Sequence, residues 1–320
     1  MSTLTMNKAA TRLLIDNKAF LALALLVIVS AALSDNFLTV DNILNVLRQS
    51  SINAIIAMGV TFVILTAGID LSVGAVLALT GAFAGAMTAS GLTPWVGVPG
   101  TIAAGACLGA VSGAFVAFGR IQAFIVTLVA MTILRGAALV FTDGRPISIG
   151  TTPAADLFWQ LGGGYWLGVP IPIYLMFFVF VLCWGVLHHT RFGRHVYAVG
   201  GGEKVARLSG INVARVKISV YAISGACAAL ASVVLTARLG SAQPTAGTGY
   251  ELDAIAAVVI GGTSLMGGRG RIFGTLVGAL VIGVLNNALN IMGVSSYFQM
   301  IAKGAVILLA VLLDSRSNSS

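Results

Sequence analysis

Residues 169–188 read VPIPIYLMFFVFVLCWGVLH, a stretch without a single Asp, Glu, Lys or Arg. A helix rising 1.5 Å per residue needs about 20 mostly apolar residues to cross the hydrocarbon of a bilayer, so this run has the length and composition of one span. The same template fits 18–34, 50–67, 71–90, 94–118 and 121–142 upstream, and 216–238, 251–266, 270–292 and 296–314 downstream. These ten runs occupy nearly the whole chain. The expected fold is therefore an all-α polytopic membrane protein of about ten transmembrane helices, forming a single domain over 1–320 with its membrane bundle at 18–314. The second, third and eighth runs are short or punctuated by glycine, which predicts broken or tilted helices there.

Composition agrees. The 320 residues are 58% hydrophobic and 9% charged, with a mean hydropathy of +1.00, against roughly 25% charged in a soluble domain. A carrier, channel or membrane subunit is expected, since little polar chain remains to build a catalytic domain. Cys107, Cys183 and Cys227 all fall inside apolar runs, where they read as small buried hydrophobes with no disulfide and no metal spacing. The first run follows Lys8, Arg12 and Lys18 and ends near Ser30-Ala31-Ala32-Leu33-Ser34, as a signal peptide can. Its length and its long leader favour an uncleaved first span.

An even number of spans puts both termini on one side, and cations collect on the cytoplasmic side of membrane proteins. With the termini inside, 13 of the 18 basic residues face inward: Lys8, Arg12, Lys18, Arg120, Arg191, Arg194, Lys204, Arg207, Arg215, Lys217, Arg269, Arg271 and Arg316. Arg48, Arg145 and Arg238 face outward, and Arg135 and Lys303 fall within spans. The net charge of +8 thus speaks of membrane orientation and not of nucleic acid. On this topology 143–170 is the main outer loop and 189–217 the main inner one.

Two glycine stripes suggest an internal repeat. Gly105, Gly109 and Gly113 share one helix face in the fourth span, and Gly270, Gly274 and Gly278 do so in or beside the ninth. Asp70-Leu71 opens the third span as Glu251-Leu252 opens the eighth. The offset of five is odd, so the chain is expected to hold two inverted five-helix repeats, a common transporter plan.

Charge inside hydrocarbon costs on the order of 3 kcal/mol, so buried ions need partners. Arg135 and Lys303 lie about 10 Å below the outer ends of their spans, and Glu251 and Asp253 enter from the same side. Pairing of Arg135 or Lys303 with Glu251 or Asp253 is expected; separate snorkelling of long side chains is the alternative. His188 and His189 are adjacent on a helix and make a poor metal pair. No serine can be matched to a base, because His188, His189 and His195 cluster at one membrane surface, so no enzyme is expected. A phosphate-binding Gly-x-x-x-x-Gly-Lys-Ser/Thr pattern is also missing around Gly200-Gly201-Gly202-Glu203-Lys204. The run Glu203 to Leu208 contains good helix formers between glycines, which predicts a short surface helix.

Three segments, Gly68-Ile69-Asp70-Leu71-Ser72-Val73-Gly74, Arg207-Leu208-Ser209-Gly210-Ile211-Asn212 and Gln243-Pro244-Thr245-Ala246-Gly247-Thr248-Gly249-Tyr250-Glu251-Leu252-Asp253-Ala254-Ile255-Ala256, closely resemble the sugar permeases of bacterial ABC importers, the ribose permeases in particular. The resemblance covers 18–314 and includes Gly261-Gly262-Thr263-Ser264-Leu265 and Leu285-Asn286-Asn287. It implies a permease in the bacterial inner membrane that works as a homodimer. A cytoplasmic ATPase with two nucleotide-binding cassettes, using ATP and Mg, and a periplasmic sugar-binding protein would be its partners, and no cofactor would reside in this chain. It places ATPase coupling at Glu203, Ala206, Arg207, Leu208, Ser209, Gly210 and Ile211. Where the family often reads Glu-Ala-Ala, this chain has Glu203-Lys204-Val205, with Gly210 retained.

A neutral sugar on its way through would meet weak polar groups: Asn53, Asp70, Asn286, Asn287, Asn290 and Gln299, with Tyr297 and Phe298 as stacking faces. The same amides also serve as glue between helices. Asp143, Arg145, Asp156, Trp159, Tyr165 and Trp166 of the outer loop would receive the binding protein or form an interfacial aromatic belt. A stand-alone secondary transporter or channel, or a permease for another monosaccharide, fits the hydropathy equally well.

Overall fold

The computed structural model describes residues 18–119 and 121–317. Lys8, Arg12 and Arg120 lie outside the described residues, as do the side chains of Lys18 and Arg316. The chain runs through α1 (Lys18–Leu33), α2 (Val40–Leu65), α3 (Val73–Ala89), α4 (Pro94–Phe118), α5 (Ala123–Thr142), β1 (Ile147–Ser148), α6 (Pro153–Gly163), β2 (Tyr165–Trp166), β3 (Val169–Pro170), α7 (Ile171–His189), α8 (Arg191–Gly201), α9 (Glu203–Leu208), α10 (Val213–Leu239), β4 (Ser241–Ala242), α11 (Tyr250–Ile260), α12 (Ile272–Ile291) and α13 (Ser296–Ser317). Among the described residues α2, α4, α5, α7, α10 and α12 are long and apolar enough to cross a membrane, and α1 and α3 are shorter apolar helices. The protein is an all-α, multi-pass membrane protein.

Local signals set the helix ends. Thr39 caps α2 by accepting from the Asn42 N–H at 3.4 Å, and Pro94 opens α4, where its missing N–H is not needed. The α5 helix stops on Asp143 and Gly144 at φ 56° and 67°, and α10 on Gly240 at 64°.

The core centres on α2 and α10, which pack on each other and are enclosed on all sides over 54–65 and 231–237, where the sequence is almost wholly apolar. Phe62 and Tyr221 are its largest enclosed side chains. By contrast α5 and α7 turn Phe124, Ile133, Phe177 and Phe178 outward toward lipid. Both glycine stripes are packing faces. Gly105 and Gly109 press on Gly225 and Tyr221 of α10, and a Cβ on Gly113 would stand 2.9 Å from Ile218 Cα. Gly274 and Gly278 meet Gly261 and Ala257 of α11, while Gly270 sits in the loop before α12 against Thr263.

Four contacts of the first half recur in the second: α3 lies on α10 as α11 lies on α2, α3 on α5 as α11 on α13, α4 on α10 as α12 on α2, and α3 on α4 as α11 on α12.

Three sequence expectations need correction. The second helix starts at Val40 and not near 50, so Arg48 lies within α2 instead of an outer segment. Its polar first half is partly exposed and tied to a neighbour: Asn42 and Asn287 exchange amide hydrogen bonds at 3.1 and 2.9 Å. The eighth run is helical only to Ile260, because Gly262, Gly267 and Gly268 adopt φ 84°, 83° and 72° and turn the chain. Finally, the predicted inner loop contains an additional helix, α8.

Candidate functional site

The bundle has two differently built ends. At one, β1 pairs antiparallel with β4 (Ile147↔Ala242) and α6 packs on α10. At the other, α8, α9 and the 261–271 loop gather around the end of α2, where Gly268 N–H donates to Leu65 O at 2.9 Å and Tyr197 OH to Gly270 O at 2.7 Å. Gly200 touches Leu65 O so closely that no side chain fits.

The coupling candidates form one rigid projection at this second end. Glu203 begins α9 and holds Arg207 at 3.0 Å and Lys217 of α10 at 2.7 Å. The helix ends in a Schellman motif: Ile211 N–H donates to Ala206 O and Gly210 N–H to Arg207 O, both at 3.1 Å, with Gly210 at φ 82°. Ala206 is buried beneath the helix and Ile211 packs on the core, which leaves Val205 and Leu208 standing outward, 68% and 90% exposed. Arg207, Ser209 and Gly210 are exposed around them. Two large aliphatic side chains thus stand out as an exposed handle on a stapled six-residue helix.

Two non-helical segments enter the bundle from opposite ends. The first, 66–72, joins α2 to α3. Asp70, 1% exposed, accepts from Ser72 N–H (3.0 Å), Ser72 OH (2.6 Å) and Ser224 OH (2.8 Å). Ile69 O accepts from the hydroxyls of Thr127 (3.1 Å) and Tyr221 (3.2 Å). Ser224 lies about 16 Å along α10 from its first residue, eleven residues at 1.5 Å each, so this break sits near the middle of the membrane. The second segment, 243–249, joins β4 to α11 and is held by Arg135, which donates to Pro244 O at 3.0 Å and Ala246 O at 2.7 Å. The segments meet where Gly74 touches Gly247 O and the Glu251 carboxylate, whose other oxygen accepts from Gly249 N–H at 3.1 Å. Both α3 and α11 thus start inside the bundle.

Among the charged candidates, the structure brings Lys303 and Asp253 together at 2.9 Å and gives Arg135 backbone carbonyls as its hydrogen-bond partners. Of the amides, Asn287 is spent on Asn42, and Gln299 donates to Asn290 Oδ1 at 2.8 Å, tying α13 to α12. Asn53 Oδ1 and Asn286 Oδ1 are enclosed without a hydrogen-bond partner. Tyr297 and Phe298 are exposed. Sequence reasoning missed Thr61 and Thr275, whose hydroxyls meet at 2.8 Å between α2 and α12, and Thr80 and Ser232, at 3.0 Å between α3 and α10. Lone hydroxyls in apolar runs give no signal, because each also bonds its own helix three or four residues back or not at all.

The family model described as branched-chain amino acid transport system / permease component matches residues 42–311. The chain belongs to this permease family. Its α2 to α13 bundle is thus a transport component. The ribose import permease proteins of Haemophilus influenzae, Escherichia coli and Bacillus subtilis are 56%, 57% and 54% identical to it, over 98%, 95% and 94% of this chain and 97%, 94% and 92% of theirs. No solved structure matches the chain.

Proposed function

We propose that this permease is the membrane subunit of an ATP-driven importer of ribose or a closely related monosaccharide. The observation that carries the reading is full-length similarity above half identity to ribose import permeases in three bacteria, which favours a sugar over the amino acids named in the wider family's description. The chain works as a pair of copies in the inner membrane, with ten spans in two inverted halves and both termini in the cytoplasm. The recurrence of four helix contacts at an offset of five spans supports the inverted halves, and the basic residues at the α8–α9 end support the orientation.

A cytoplasmic ATPase, consuming ATP with Mg, grips Val205 and Leu208 along with Glu203, Ala206, Arg207, Ser209, Gly210 and Ile211. Its closing and opening shifts the bundle between outward and inward states, as a ligand does that binds two states unequally. A periplasmic binding protein delivers sugar to the 143–170 end. Asn53 and Asn286, whose acceptors are unpartnered, are the amides placed to meet sugar hydroxyls; Asp70, Asn287, Asn290 and Gln299 hold the walls.

Reconstitution in proteoliposomes tests this. Ribose uptake should require the ATPase, ATP and the binding protein; full uptake by the chain alone under an ion gradient would refute the ATP-driven reading.

A further inference from the structure

Beside the partner handle, the same end of the bundle carries a second surface of different chemistry. The α7 helix ends at His189 and the chain turns at once into α8: Thr190 OH donates to Val186 O at 2.6 Å and accepts from Gly193 N–H at 3.2 Å, and Gly193 packs directly on Leu187 O. This turn lays α8 across the bundle. Its inner face, Gly193, Val196 and Val199, is buried, and Phe192 stacks on Phe62 of α2. Its outer face presents Arg191, Arg194, His195 and Ala198, all exposed and spaced for one side of a helix. Arg271 joins them, since Tyr197 of α8 bonds Gly270 O and its hydroxyl, pushed up by burial, is pulled back by the Arg271 charge.

No carboxylate answers these arginines. Among the described side chains no carboxylate lies within 4.0 Å of Arg191, Arg194 or Arg271, and both oxygens of Glu203 are engaged by Arg207 and Lys217. Below the arginines the surface becomes apolar and aromatic. Phe177, Phe180 of α7 and Phe273 of α12 form a chain of ring contacts at 5.9 and 6.4 Å, with Phe177 60% and Phe273 56% exposed, and Trp184 packs on His188 and His189 at the boundary. Arg271 immediately precedes the first residue of α12, whose N-terminus has no side-chain cap. A cationic rim over an aromatic wall facing lipid complements one class of molecule, a phospholipid with an anionic headgroup.

We infer that Arg191, Arg194 and Arg271 form a binding site for an anionic phospholipid, whose acyl chains lie on Phe177, Phe180 and Phe273. The inference needs the membrane setting and not the sugar. Lipid phosphate would hold α8 against the bundle next to the handle, so lipid composition would tune how firmly α9 is presented.

The purified full chain, offered an equal mixture of phosphatidylglycerol and phosphatidylcholine with matched acyl chains, tests the site by native mass spectrometry. The preference for phosphatidylglycerol should fall at least about tenfold in the Arg191→Gln, Arg194→Gln, Arg271→Gln variant, given roughly fivefold for each headgroup arginine lost. It should persist in Arg145→Gln, an exposed arginine of the opposite end. Because the three side chains are exposed, melting in phosphatidylcholine alone should match the parent, which separates lost binding from lost folding. An unchanged preference in the triple variant, an equal fall in Arg145→Gln, or no preference in the parent would overturn the site.

Discussion

The two breaks in the bundle solve the same problem with opposite charges. In hydrocarbon every freed N–H and C=O must find a partner inside the protein. At 66–72 the partners converge on an acceptor, the Asp70 carboxylate, which collects one N–H and two hydroxyls while Thr127 and Tyr221 serve Ile69 O. At 243–249 they converge on a donor, Arg135, which serves two carbonyls. A carboxylate suits a segment that must turn into a helix N-terminus, since it accepts from the Ser72 N–H just before α3, and a guanidinium suits one whose carbonyls point inward. What the breaks share is their meeting point, Gly74 against Gly247, and this contact lets two shortened helices, of 17 and 11 residues, begin inside the bundle.

The meeting point of the two breaks is the place most sensitive to substitution. A Cβ on Gly74 collides with the backbone of Gly247, which cannot step aside as a side chain can. Gly74→Val should destabilise the purified protein by about 3 kcal/mol or more, measured by denaturant titration in detergent. Next comes Asp70→Ala, which strands the enclosed hydroxyl of Ser224 and the donors of Ser72, at about 2–3 kcal/mol. Asp70→Asn should recover most of that loss, since the amide oxygen still accepts and the Ser224 hydroxyl can rotate to accept from the amide N–H; no recovery would mean that the negative charge itself closes the break. Arg135→Leu leaves two carbonyls open but also removes a half-buried cation, so a smaller loss of about 1–2 kcal/mol is expected. Lys303 is partly exposed and Asp253 is buried; a double-mutant cycle with Lys303→Met and Asp253→Asn should give a coupling of about 1 kcal/mol. Gly136, with nothing near its would-be Cβ, should accept alanine without measurable change.

These differences also explain what the sequence could and could not disclose. The spans of α4 and α5 were readable to within two residues because an uninterrupted apolar run has only one use at that length. The first half of α2 was not, since Asp41, Asn42, Asn45, Arg48 and Gln49 resemble a loop until Asn42 is seen to pair with Asn287, and Asn45 with Arg48 and Gln49. Depth counting brought Lys303 and Asp253 to the same level, but the main-chain partners of Arg135 have no sequence signature. The α8 helix did carry a signal, apolar Phe192, Val196 and Val199 alternating with Arg191, Arg194 and His195 at helical spacing, which was masked by the glycines and charges around it. At the handle, Gly210 announced the end of α9, whereas the grip of Glu203 on Lys217 spans fourteen residues and depends on how α10 returns.

On the proposed function, a cytoplasmic ATPase drives this bundle through α9. Labelling Leu208→Cys with a membrane-impermeant maleimide in sealed vesicles of each orientation tests it most directly, since Leu208 is 90% exposed on the handle. Labelling should occur only where the cytoplasmic face is outward, with strong protection once the ATPase is bound. Labelling from the periplasmic face, or labelling untouched by the ATPase, would contradict it.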